Sequence, residues 1–215
     1  MALRLHEELM LLVVREREGT LHSVAWPTAL GAALLADLVE AGRLAIVPEG
    51  KKLFVAVTDP RPTGDPLLDD CLALAAAAKR RGQLASWISR FARVKDLKGR
   101  VARALCARGI LRADERTILL LFRQKIYPEL DPRPEREIRA RLRRLIFAET
   151  TARDPRTILL LSLADALSLL PALFEKRQLK ERRRWVAQLV ADEPLGRKVR
   201  ELNEAAQAAA IAATC

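Results

Sequence analysis

A mainly α-helical single domain with a few short β-hairpins is the fold this sequence predicts, on three observations. Apolar residues recur at helical spacing along most of the chain, as at Ile138, Leu142, Leu145 and Ile146. Half of the 215 residues are hydrophobic, which is enough for a substantial core and suits one domain over residues 1–215. Strand-like runs are confined to two short stretches, Leu44 to Val57 and Ile110 to Phe122, each interrupted by turn residues.

Taken in order, Leu3 to Val14 fits either a short buried helix or a helix running into a strand, because Leu5, Leu9, Leu12 and Val13 share a face. Arg15 to Thr20 reads as a turn around Gly19. Ala29 to Ala41 predicts a helix whose small residues Gly31, Ala32, Ala33 and Ala36 permit close helix contact, with Gly42 as its stop. Leu44 to Val47 and Leu53 to Val57 flank a glycine turn and predict a hairpin. The proline-rich loop Asp59 to Pro66 feeds a helix that starts at Leu67 and runs to Lys79. Further helices are expected over Ala85 to Phe91 and Lys98 to Arg108, with Gly109 ending the second. Ile110-Leu111 and Ile118 to Phe122 predict a second hairpin turning at Ala113 to Arg116. Ile158 to Phe174 is just shorter than the roughly 18–20 apolar residues that cross a bilayer, and Asp165 and Pro171 interrupt it, so it predicts a buried core helix. Lys176 to Val190 and Arg197 to Ala213 predict the last two helices.

Charge narrows the partners. Thirty-eight Lys+Arg against 27 Asp+Glu leave +11, which points to nucleic acid, anionic phospholipid or acidic protein. Lys79 to Arg103 is the densest patch, with nine basic residues and the single acid Asp96. Arginine supplies most of the charge, and its planar fork binds phosphate in two-point geometry. Pro134 to Phe147 forms an amphipathic helix in which Arg136, Arg139 and Arg143 lie on one flank of the apolar stripe and Arg141 and Arg144 on the other. Periodicity alone leaves two readings, a solvated cationic face or an anion site.

Catalytic and metal chemistry find little support. Cys71, Cys106 and Cys215, with only His6 and His22 beside them, have no metal-ligand spacing, and reduced cytosolic thiols account for them. There is no Walker loop, dinucleotide fingerprint, nucleophile elbow or His-Glu-x-x-His motif. The expectation is a non-enzyme without cofactor, catalytic residues or metal. The N-terminus has no signal-peptide layout, and because Ile158 to Phe174 reads as a core helix, any membrane association is expected to be peripheral.

Several blocks in order resemble the Golgi phosphoprotein 3 (GPP34) family. They are the opening Leu3-Arg-Leu-His-Glu-Glu8, Arg17-Glu-Gly-Thr20, Ala33 to Leu44 ending in Gly-Arg-Leu, Pro62 to Asp70, Trp87-Ile88, Val101 to Leu111, Leu119 to Phe122 and Arg139 to Arg144. The resemblance implies a helical single-domain protein that binds membranes peripherally from the cytoplasm. Eukaryotic members recognise phosphatidylinositol 4-phosphate on the cytosolic face of the Golgi and bind cytoplasmic tails of glycosyltransferases. It also implies a headgroup site containing Trp26, in the loop after the Arg-Glu-Gly turn, and the i, i+3 pair Arg141 and Arg144. The family's third arginine falls at Gly31, or at Leu30 in a shifted register. Its absence costs about 1.5–3 kcal/mol of headgroup affinity. A family hairpin linked to self-assembly, and so to a homo-oligomer, corresponds to Ala152 to Thr157, here short and polar. The excess of arginine and alanine suits a bacterial member, whose ligand would be a related anionic phospholipid. The alternative is a basic helical adaptor for nucleic acid or acidic proteins, although no helix-turn-helix or stacking platform is present.

Overall fold

The computed structural model describes residues 2–14, 25–118, 122–148 and 153–212. The mainly helical single domain is what it contains. The predicted turn at Arg15 to Thr20 lies outside the described residues. Among the described residues the chain forms α1 (Leu5–Val13), α2 (Trp26–Glu40), β1 (Leu44–Glu49), β2 (Lys52–Val57), α3 (Pro66–Ala76), β3 (Gly82–Gln83), α4 (Leu84–Phe91) and α5 (Leu97–Ala107). It continues with β4 (Asp114–Ile118), β5 (Phe122–Ile126), α6 (Arg133–Phe147), α7 (Pro155–Ala166), α8 (Leu170–Leu173), α9 (Lys176–Val190) and α10 (Pro194–Ala212).

The short helix α1 sits in the middle. Every residue of it is buried, including His6, Glu7 and Glu8, and it packs on α2, α5, α6 and α7. A helix buried on all sides still has unpaired N–H groups at its start. Here Asp37 of α2 accepts from the Leu5 and His6 amides at 2.8 and 3.1 Å, and Glu7 accepts from the Arg4 amide at 2.8 Å. The small-residue face of α2 does what its composition predicts. Gly31 is buried against α4, and a Cβ there would lie 2.4 Å from the Ile88 carbonyl oxygen and 2.8 Å from the Ala92 amide nitrogen.

The first hairpin has the expected antiparallel pairing, Leu44 opposite Val57 to Glu49 opposite Lys52, and β3 adds to its β2 edge. Asp65 caps α3 by accepting from the Leu67 and Leu68 amides, so the proline-rich loop does feed a helix start. The second hairpin exists in a different register. Asp114 pairs with Ile126 and Ile118 with Phe122, so the expected turn residues Asp114 to Arg116 are strand. Of the apolar run that looked like a strand, Leu119 to Leu121 lie outside the described residues. Local composition misplaced the turn because the polar segment Asp114 to Thr117 pairs through its backbone, which hydrophobic patterning does not register.

The run from Ile158 to Phe174 is two helices rather than one. α7 ends at Ala166, Ser168 takes a positive φ of 55°, and Pro171 lies in the first turn of α8. No helix of the described residues is long and apolar enough to cross a membrane. The described part of the expected hairpin at Ala152 to Thr157 is no hairpin. Asp154 caps α7 through the Arg156 and Thr157 amides, and Pro155 begins the helix. α9 then braces α6: the Trp185 indole donates to the Leu145 carbonyl at 3.1 Å, and Arg182 to the Phe147 carbonyl at 3.4 Å.

Candidate functional site

The amphipathic helix α6 buries the stripe its spacing marks out. Ile138, Leu142, Leu145 and Ile146 are all within the core, and Pro134 lies in the first turn. The arginines divide as the helical wheel divides them. On one flank Arg139 pairs with Glu135 of its own helix at 2.7 Å, and Arg143 lies over the Phe147 ring at 5.5 Å. Both are ordinary surface arrangements within a helix.

The other flank faces α1. Arg141 donates from Nη2 to Glu8 Oε2 at 2.6 Å, joining residues 133 apart in sequence. Arg156 of α7 approaches the second Glu8 oxygen at 3.6 Å, and also pairs with Glu40 and donates to the Leu3 carbonyl at 2.9 Å. Burial raises the Glu8 carboxyl pKa, opposed by the hydrogen bond from Arg141 and the charges of Arg141 and Arg156. The adjacent Glu7 holds Arg108 at 2.9 Å, and His6 Nδ1 lies 2.6 Å from Asp37 Oδ2. The His-Glu-Glu sequence of α1 is therefore a buried hub that ties four other helices or their ends to the centre. His6 belongs to this hub and stands beside no nucleophile.

Arg144, one turn beyond Arg141, is exposed. Among the described residues its side chain makes no hydrogen bond, ion pair or ring contact. Trp26 is not in a loop but is the first residue of α2, half-buried and packed on the edge of the core. No hydrogen bond, ion pair or cation–π contact joins Trp26 to Arg141 or Arg144 among the described residues, so the three expected site residues are not assembled by direct contact. Gly31 and Leu30 are both interior. Neither register can present a cation to a headgroup, and at Gly31 the neighbouring α4 backbone fills the space a side chain would need.

A family model, Golgi phosphoprotein 3 (GPP34), matches residues 5–206. The chain belongs to that family. In this Golgi phosphoprotein 3 family protein, the opening Leu-x-Leu-x-Glu-Glu block is thus a structural motif, its two glutamates anchoring arginines from α5's end, α6 and α7. Sequence reasoning missed Glu8 and Arg156 as neighbours of the Arg141 flank. The two adjacent acids in an otherwise apolar helix were a signal for Glu8, whereas nothing in the sequence singles out Arg156. Among the described residues there is no group of acids, histidines and cysteines that could hold a metal. Burial pushes the Cys71 thiol up to about 12, so it remains protonated at neutral pH and is a poor nucleophile.

Proposed function

We propose that this protein is a peripheral membrane protein that binds anionic phospholipid headgroups, phosphatidylinositol 4-phosphate or a related phospholipid, on the Arg141–Arg144 flank of α6. It acts from the cytoplasmic side as a non-enzymatic adaptor for tails of membrane enzymes such as glycosyltransferases. Trp26 would contact the lipid interface, where an indole's apolar body and polar edge are both accommodated. The observation that carries this reading is the contrast within one flank. Glu8 fixes Arg141, while Arg144, one turn away, has no partner among the described residues. A guanidinium held at one N–H keeps further donors for a phosphate, and its orientation costs no entropy on binding. Family membership supports the same reading.

Co-sedimentation with phosphatidylcholine vesicles, with and without phosphatidylinositol 4-phosphate, tests it. Removing one charge-assisted contact costs about 1.5–3 kcal/mol, so Arg144→Ala is expected to weaken binding roughly tenfold or more. Its thermal midpoint should stay unchanged, because the exposed side chain makes no hydrogen bond or ion pair among the described residues. Arg141→Ala should weaken binding and also lower the midpoint, because Glu8 loses a partner. If the double variant binds these vesicles as the wild type does, the site is wrong. Steeply salt-dependent duplex DNA binding without vesicle binding would instead support the nucleic-acid alternative.

A further inference from the structure

A second cationic feature lies away from the α6 flank. Helices α7 to α10 line an open cavity of about 620 Å³, within the range of small-molecule sites. Five basic residues line it: Lys176, Lys180 and Arg183 from α9, and Arg197 and Arg200 from α10. Among the described residues the acid on its wall is Asp165, which is already paired with Arg200. Lys176, Lys180 and Arg183 have no ion-pair partner among the described residues, whereas the charge of Arg197 acts on Glu193. Three uncompensated cations around one concavity repel each other, and an anion relieves that repulsion.

The same wall is apolar as well as basic. Along α9 the lining positions 176, 180, 183, 187 and 190 follow helical spacing and change from Lys, Lys, Arg to Ala187 and Val190. Leu179 and Val186 lie beside them, and Leu170 and Pro171 of α8 close the opposite side. The cavity's frame is fixed. Gly196 packs so closely on α7 that a Cβ there would overlap the Ser162 hydroxyl, and Glu193 caps α10 through the Leu195 and Gly196 amides at 3.0 and 2.6 Å. The ion pair between Asp165 and Arg200 ties the two helices again.

We infer that this α7–α10 cavity binds a single-chain anionic amphiphile, its phosphate or carboxylate head on the basic residues and its hydrocarbon body against the apolar wall. A compact cavity of this volume admits one chain, and neither a bare anion nor a neutral chain satisfies both halves of the lining. The inference is independent of the α6 headgroup reading.

Calorimetric titration of the full chain with dodecyl phosphate, below its critical micelle concentration, tests this. The expected result is saturable one-site binding. Lys180→Glu with Arg183→Glu should weaken it roughly tenfold or more through lost charge-assisted contacts. Ala187→Trp, on the exposed side of α9, keeps every charge but fills the apolar part, and should weaken it comparably. In the Arg141→Ala with Arg144→Ala variant, which lacks the α6 flank, a saturable site should remain, which separates this site from that flank. No saturable binding by the wild type would overturn the inference. So would binding of inorganic phosphate or dodecanol as tight as that of dodecyl phosphate, or a loss of binding in the Arg141/Arg144 variant only.

Discussion

At the scale of single residues, Glu8 shows how one buried charge both builds and constrains the candidate site. It is 5% exposed and has two guanidiniums near it, yet its carboxyl pKa is raised because burial outweighs their attraction. A raised acid pKa in the folded state means that the fold binds this proton more readily than the unfolded chain does. The stabilisation is therefore full below the unfolded value, 4.5, and is lost as pH rises through the folded value. The Glu8→Gln variant lacks that dependence. The stability of the wild type relative to this variant, measured by urea denaturation, should accordingly decline from pH 4.5 towards neutrality. A relative gain over the same range would mean that Arg141 and Arg156 more than offset the burial of Glu8. The same residue shows what sequence could not reveal: the helical wheel separates Arg141 from Arg139 and Arg143, but a partner 133 positions away has no local signature.

Whole elements were more legible wherever a single stripe decided the structure. All four apolar positions chosen for α6 are buried, and α9 has the expected bounds. Elements failed where backbone geometry decided. Ser168 at positive φ divides the long apolar run, and Asp114 to Arg116, where patterning placed a turn, are strand. Gly31 is the case in which local pattern and packing agree. Its missing side chain allows α2 to approach the end of α4, and a methyl group there meets backbone atoms that cannot rotate away. Gly31→Ala should therefore separate the two helices and cost about 1–3 kcal/mol, as overpacking does. For a chain of this length each kcal/mol lowers the thermal midpoint by about 2–4 °C. A variant that melts at the wild-type temperature would show that the α2–α4 contact is looser than these distances imply. The same packing makes arginine at this position incompatible with the fold.

For the molecule as a whole, the +11 charge is divided among separate features: the α6 flank, the α7–α10 cavity, and a groove beside α3 lined by Arg90, Arg93, Lys95 and Arg100. That division sets how salt acts on membrane binding. Attraction of a basic surface to a negative leaflet, about 1 kcal/mol for each cation near it, decays over the Debye length. That length shrinks from about 10 Å at about 0.1 M salt to about 3 Å at about 1 M. Contacts at hydrogen-bond distance in a partly buried setting are screened much less, and Arg141, 30% exposed and held by Glu8, offers such a contact. Raising salt should therefore reduce binding to phosphatidylserine vesicles steeply. On the proposed headgroup reading, a preference for phosphatidylinositol 4-phosphate at equal vesicle charge should persist within roughly twofold, because charge-assisted contacts at hydrogen-bond distance are short. If that preference disappears in parallel with total binding, the number of cations near the bilayer is sufficient to explain the affinity, and the α6 flank confers no headgroup selectivity.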